Sequence, residues 1–123
     1  MVTRPDLAGL RIKDATGPWV YLIDDDGTKR RIPDTPTYDN LFRDWNGIVS
    51  IADADTIDEG ADITVGAILA KSNQFANVYL VDNGTKRRIT SPAVMDKFYF
   101  AWDKIYVIPE VVLASIPNGT GIV

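Results

Sequence analysis

One stretch of this chain is written twice. Val20-Tyr21-Leu22-Ile23-Asp24 followed by Gly27-Thr28-Lys29-Arg30-Arg31-Ile32 returns as Val78-Tyr79-Leu80-Val81-Asp82 followed by Gly84-Thr85-Lys86-Arg87-Arg88-Ile89. A duplicated chain folds as two copies of one unit, and each copy checks the other. A residue kept in both serves the shared architecture or a duplicated site. Repeat 1 is placed at about 8–65 and repeat 2 at about 66–123, within a single domain of residues 1–123.

The spacing fixes a register. Tyr21 and Tyr79 are 58 apart but Gly27 and Gly84 are 57 apart, so repeat 1 carries one more residue between them. Asn83-Gly84 suits a two-residue type I′ hairpin turn, whereas Asp25-Asp26-Gly27 suits a three-residue loop closed by a left-handed Gly. The extra residue then stays in the loop, and Tyr21 lies opposite Arg31 as Tyr79 lies opposite Arg88. Strand alternation puts Val20, Leu22, Arg30 and Ile32 on one face with Val78, Leu80, Arg87 and Ile89, which reads as core. The other face carries Tyr21, Ile23, Lys29 and Arg31 with Tyr79, Val81, Lys86 and Arg88, which suits a half-solvated or ligand-facing surface.

Gly9–Lys13 and Gly66–Lys71 read as first strands, making a three-stranded meander in each copy. Thr35-Pro36 and Ser91-Pro92 each predict an N-cap before a helical Pro, hence a short helix with Tyr38, Leu41 and Phe42, or Val94, Phe98 and Tyr99, turned inward. Ile48–Ile51 and Ile105–Ile108 are candidate fourth strands. The fold class expected is α+β and β-rich: two tandem repeats of a three- to four-stranded antiparallel meander with short helices, pseudo-twofold symmetric. The tail Gly121-Ile122-Val123 looks like the first strand of another unit near Gly9-Leu10, free to pair back or with a neighbour, so a homo-oligomer is expected.

These motifs resemble the V-Y-L-(I/V)-D-x-G-x-K-R-x-I repeats of bacterial surface and cell-wall-associated proteins, which continue with an aromatic-bearing helix and close with I-P-x-G. A looser resemblance is to hemopexin-type units, whose families bind ligands on repeated blades. Copy two closes with Ile116-Pro117-Asn118-Gly119; copy one departs, with Asp58-Glu59-Gly60-Ala61-Asp62 in that place.

Composition excludes several chemistries. The chain of 123 residues has no Cys and no His, which removes disulfides, thiolate catalysis, imidazole bases and His or Cys metal sites. It should bury roughly 65% of its unfolded surface without such staples. A net charge of −4 has the wrong sign for phosphate neutralisation, so no nucleic-acid partner is expected. No secretory signal and no membrane span is visible, so the chain reads as soluble, either cytoplasmic or released to act outside the cell.

Trp45-Asn46 and Trp102-Asp103 pair an indole with an amide or carboxylate in both copies, either as a core lid or as the ring-plus-acceptor arrangement that receives a sugar. Trp19 aligns with Asn77 in the other copy, has no indole counterpart there, and so suits surface contact better than shared core. Tyr21 with Arg31 and Tyr79 with Arg88 either stiffen their hairpins or hold a hydroxylated ligand. Asp53, Asp55, Asp58, Glu59 and Asp62 match no calcium loop and read as a solvated acidic face. With no catalytic constellation visible, the expectation is a non-enzymatic lectin without cofactor or metal. Its glycan ligand is met by Trp19, Tyr21, Asp24, Arg31, Trp45, Tyr79, Asp82, Arg88 and Trp102. The alternative is a structural or assembly protein of a phage particle or bacterial surface with no small-molecule ligand.

Overall fold

In the computed structural model, which describes residues 2–15 and 17–123, each repeat forms one four-stranded sheet. Repeat 1 contributes β1 (Arg11–Asp14), β2 (Val20–Ile23), β3 (Lys29–Arg31), α1 (Thr35–Leu41) and β4 (Val49–Ile51). Repeat 2 contributes β5 (Ile68–Ser72), β6 (Val78–Asp82), β7 (Thr85–Arg88), α2 (Pro92–Lys97), β8 (Tyr106–Ile108) and α3 (Glu110–Ala114). The strand orders are β3-β2-β1-β4 and β7-β6-β5-β8. The three-stranded meanders are antiparallel, and the fourth strand of each sheet runs parallel to the first. The mixed pairing follows from the helix: α1 or α2 carries the chain from one edge of its sheet to the other.

The register is that required by the spacing. Tyr21 pairs with Arg31 and Tyr79 with Arg88. Asn83 and Gly84 both have positive φ, while in repeat 1 the left-handed residue is Gly27 at φ 84. The helix caps also correspond, with one shift. Ser91 accepts the Val94 N–H as expected, but α1 is capped by Asp34, which accepts from Thr37 N at 2.9 Å, and Thr35 is already helical. A Pro at either of the first two helical positions costs nothing, because those N–H groups have no intrahelical partner.

The main core lies between the two sheets and helices α1 and α2. Leu22, Ile32, Leu69, Leu80 and Ile89 meet Tyr38, Leu41, Phe42, Met95, Phe98 and Phe100 there. Each such side chain contributes about 1.5–3 kcal/mol by leaving water. Tyr99, expected to turn inward with α2, instead sits at φ +59 beyond the helix, which lets Phe100 enter the core in its place. A second cluster of Ile12, Ile23, Ala54 and Ile57 covers the opposite face of the first sheet.

That opposite face is less solvated than alternation alone implies. Lys29 and Lys86 are buried, and their ammonium groups donate to main-chain carbonyls: Lys29 to Ala54 O at 2.8 Å, Lys86 to Leu113 O at 3.0 Å and Ile116 O at 2.8 Å. In both repeats the lysine ties down the segment following the fourth strand.

The repeats also close alike. Lys29 N bonds Asp58 O and Gly60 N bonds Lys29 O; Lys86 N bonds Pro117 O and Gly119 N bonds Lys86 O. Ile57-Asp58-Glu59-Gly60 is therefore the structural counterpart of Ile116-Pro117-Asn118-Gly119, and the closure first read as absent from copy one is present without its Pro. Ile122 bridges Ile89 in parallel and its N–H bonds Arg88 O, as Ile63 N bonds Arg31 O. The C-terminal tail is thus the closing piece of repeat 2 rather than the opening strand of another unit, and the reason it offered for a homo-oligomer falls away. Among the described residues no helix is long and apolar enough to cross a membrane.

Candidate functional site

The duplicated aspartates and the duplicated core-facing arginines find each other across the repeats. Arg30 bonds Asp82 and reaches Asp24 Oδ2 at 3.4 Å, and Arg87 bonds Asp24 Oδ2 at 2.7 Å and Asp25 Oδ1 at 3.4 Å. Each arginine also donates through Nε to a carbonyl of its repeat's closing segment, Arg30 to Ala61 O at 2.8 Å and Arg87 to Thr120 O at 2.7 Å. Asp24 and Asp82 therefore lie away from the Tyr21–Arg31 face, with their oxygens occupied in joining the two halves. The signal was legible in part: an Arg on a core face in both copies demands a carboxylate, and only one Asp pair recurs in the hairpin.

Burial pushes the Asp24 carboxyl up, but the hydrogen bond and charge of Arg87, helped by Arg30, outweigh it and hold the group below the ordinary carboxylate range. Asp34, bonded by Thr37, Asp44, bonded by Tyr99, and Asp96, bonded by Arg43, are lowered too. Asp25 moves the other way, raised by burial and by its neighbour Asp24. A carboxyl depressed in the folded state adds stability above its unfolded pKa of about 3.9, and that stability is lost as pH falls through the folded value. Asp6, paired with Arg4, is lowered as well, so Asp25 works against five depressed carboxyls. The melting temperature should hold a plateau near neutral pH and fall steeply below about pH 4; an undiminished melting temperature at about pH 2 would refute the coupling.

The ligand-facing candidates gather elsewhere. Trp19 is 46% exposed, and the Arg31 guanidinium lies 3.8 Å from its ring centroid. Arg31 finds no acceptor among the described residues, and its Nε is buried without a partner. Beside this pair a cleft of ≈ 270 Å³ is lined by Trp19, Tyr21, Lys29, Arg31, Glu59, Gly60 and Asp62. Glu59 sits 3.8 Å from the Lys29 ammonium and Asp62 has no cation within pairing distance among the described residues. Burial, then the charge of Glu59, raises the Tyr21 hydroxyl, which stays protonated and able to donate at neutral pH. Glu59 and Asp62, read from sequence as a solvated acidic face, are the acceptors of this cleft. The missed clue was the concealed Ile57–Gly60 closure, which brings Glu59 alongside Lys29.

Trp45 and Trp102 are half-exposed in both repeats, each indole donating to a helix carboxylate: Trp45 to Asp39 Oδ1 at 2.9 Å, Trp102 to Asp96 Oδ1 at 3.1 Å. Trp45 stacks on Tyr38 at 3.8 Å and, with Trp19, Pro18, Val20 and Pro33, lines a groove of ≈ 360 Å³. Of the core and surface alternatives for these tryptophans, the surface position is the one observed. In repeat 2 a cleft of ≈ 300 Å³ is lined by Tyr79, Lys86 and Asn118, the counterparts of Tyr21, Lys29 and Glu59, together with Phe75 and Asn77. Arg88 is exposed and does not line it, so the second cleft repeats the first with Asn77 in place of the indole and without the guanidinium.

The acidic residues weighed for calcium do not converge. Among the described residues the carboxylates that do are Asp24, Asp25 and Asp26. Their oxygens already accept from Arg87, from Val123 N and from Thr28. Comparison with known proteins finds no family model, no curated protein and no solved structure that matches the chain.

Proposed function

We propose that the protein is a non-enzymatic carbohydrate-binding module whose principal site is the cleft at Trp19. The observation carrying this reading is the company that ring keeps: a half-exposed indole, a guanidinium with no acceptor of its own, and two carboxylates opposite. A sugar presents an apolar ring face with hydroxyls around its rim. The indole takes the face, Arg31 and the Tyr21 hydroxyl donate to ring or hydroxyl oxygens, and Glu59 and Asp62 accept from hydroxyls. The hydroxyl among the lining residues, that of Tyr21, is kept protonated by burial and so serves as a donor rather than a nucleophile, which favours binding over turnover. The repeat-2 cleft offers a second, weaker copy. The resemblance of the hairpin motif to repeats of bacterial surface proteins accords with a glycan ligand.

The test is a glycan array followed by titration calorimetry on the best ligand. Arg31→Ala with Arg88→Ala should weaken binding by roughly 10–100-fold, as loss of charge-assisted hydrogen bonds does, while the protein stays folded. Undiminished affinity in that double variant would remove the proposed site. A blank array would remove the reading itself.

A further inference from the structure

Trp19 belongs to two cavities. It lines the polar cleft with Arg31, Glu59 and Asp62, and it also lines the groove that runs to Trp45 past Pro18 and Pro33. At ≈ 270 and ≈ 360 Å³ one lies below and the other only a little above the lower limit for a small-molecule pocket, about 300 Å³, so each alone has room for a small ligand and no more. Joined at the shared ring they form one elongated site with an indole at its centre and another, half-exposed, at its far end. The charges of the polar cleft cancel: Lys29 and Arg31 stand against Glu59 and Asp62, and the Lys29 ammonium is already held by Ala54 O. An anionic ligand would meet two carboxylates there; a cationic one would meet the unpaired guanidinium.

Resting on the carbohydrate reading, we propose that the ligand is a neutral oligosaccharide of at least two units. One unit sits in the polar cleft and the next crosses Trp19 into the groove before Trp45. Aromatic platforms spaced along a groove match the alternating apolar faces of a sugar chain, and a chain bridging both cavities gains contact without added charge. The acidic Asp34 and the exposed Thr35 wall the groove, which leaves it open to hydroxyls and closed to carboxylates.

The experiment is an array carrying neutral glycans beside uronate- and sialate-bearing ones, then calorimetry with the best ligand shortened to its trisaccharide, disaccharide and monosaccharide. Neutral glycans should lead. Affinity should rise about tenfold or more from one unit to two, and should change by less than about twofold with added salt. Thr35→Arg, which fills the groove from an exposed position, should abolish the gain with chain length. If that variant does not fold, Trp45→Phe, which keeps a ring on Tyr38, should reduce the same gain. Preference for acidic glycans, or equal affinity for one and two units, would overturn the extended neutral site while leaving a carbohydrate module intact. A gain with length that survives both variants would overturn the groove. No glycan binding of any kind would defeat the functional reading beneath it.

Discussion

Asp82→Ala is expected to cost about 3–5 kcal/mol of folding stability, roughly a fifth or more of what a domain of this size commands. The Asp82 side chain is 1% exposed, and both of its oxygens are occupied: one by Arg30, the other by the Thr64 backbone N–H at 2.8 Å. Removing it leaves the buried Arg30 with a lone carboxylate at 3.4 Å and strands the Thr64 donor. An uncompensated buried charge costs far more than a lost surface ion pair gains. Asp82→Asn should fall between, because it keeps an acceptor for Thr64 but discharges the partner of Arg30. Replacing the pair together, Arg30→Met with Asp82→Leu, should recover much of the loss, since neither charge is then left alone. Thermal and urea unfolding of the four proteins checks this. A loss below about 1 kcal/mol in Asp82→Ala would show that apolar burial alone joins the repeats.

Much of this architecture could be read from the duplicated hairpin, because alternation, turn chemistry and an internal copy act together. An Asn-Gly pair and an Asp-Asp-Gly triplet give two loop lengths for one register, and both are observed. The parallel fourth strand was not legible. A run such as Val49-Ser50-Ile51 states that a strand is present, not which neighbour it pairs with, and direction is decided by where the helix delivers the chain. The closure of repeat 1 was concealed for a related reason. Asp58 and Glu59 replace Pro117 and Asn118, and two residues more separate the closure from the preceding Trp in repeat 2, where α3 occupies the space of a shorter turn. Backbone hydrogen bonds tolerate those substitutions, and a motif written in side chains does not.

The site was legible by residue type and less so by address. Trp19, Tyr21 and Arg31 do converge, since alternation puts the latter two on one face and the strand brings Trp19 beside them. Asp24 and Asp82 were assigned to the same surface because they adjoin it in sequence, yet they sit at the hairpin end where the two halves meet. What decided their fate was the other copy. An arginine facing a core must find a carboxylate within reach, and the nearest lay in the opposite repeat. Lys29 and Lys86 illustrate the same point, being drawn under turns whose carbonyls accept from their ammonium groups.

Because repeat 2 carries Asn77 where repeat 1 carries Trp19, the molecule supplies its own negative control for the indole. Trp19→Ala should weaken glycan binding by about 30–1,000-fold, the loss of 2–4 kcal/mol typical of a buried aromatic anchor in a complex. The ring is half-exposed in the free protein and its contact with Arg31 is worth only about 0.5–1 kcal/mol, so the variant should melt within a few degrees of the parent. The reciprocal change is the sharper one. Asn77→Trp sets an indole over the cleft that already holds Tyr79, Lys86 and Asn118, with the exposed Phe75 at its rim. Calorimetry should then find a second tight site per chain, raising the stoichiometry from about one ligand to about two. Full affinity in Trp19→Ala would place the sugar elsewhere on the molecule. An Asn77→Trp protein with unchanged stoichiometry would mean that Arg31, absent from the second cleft, matters more than the ring it stacks upon.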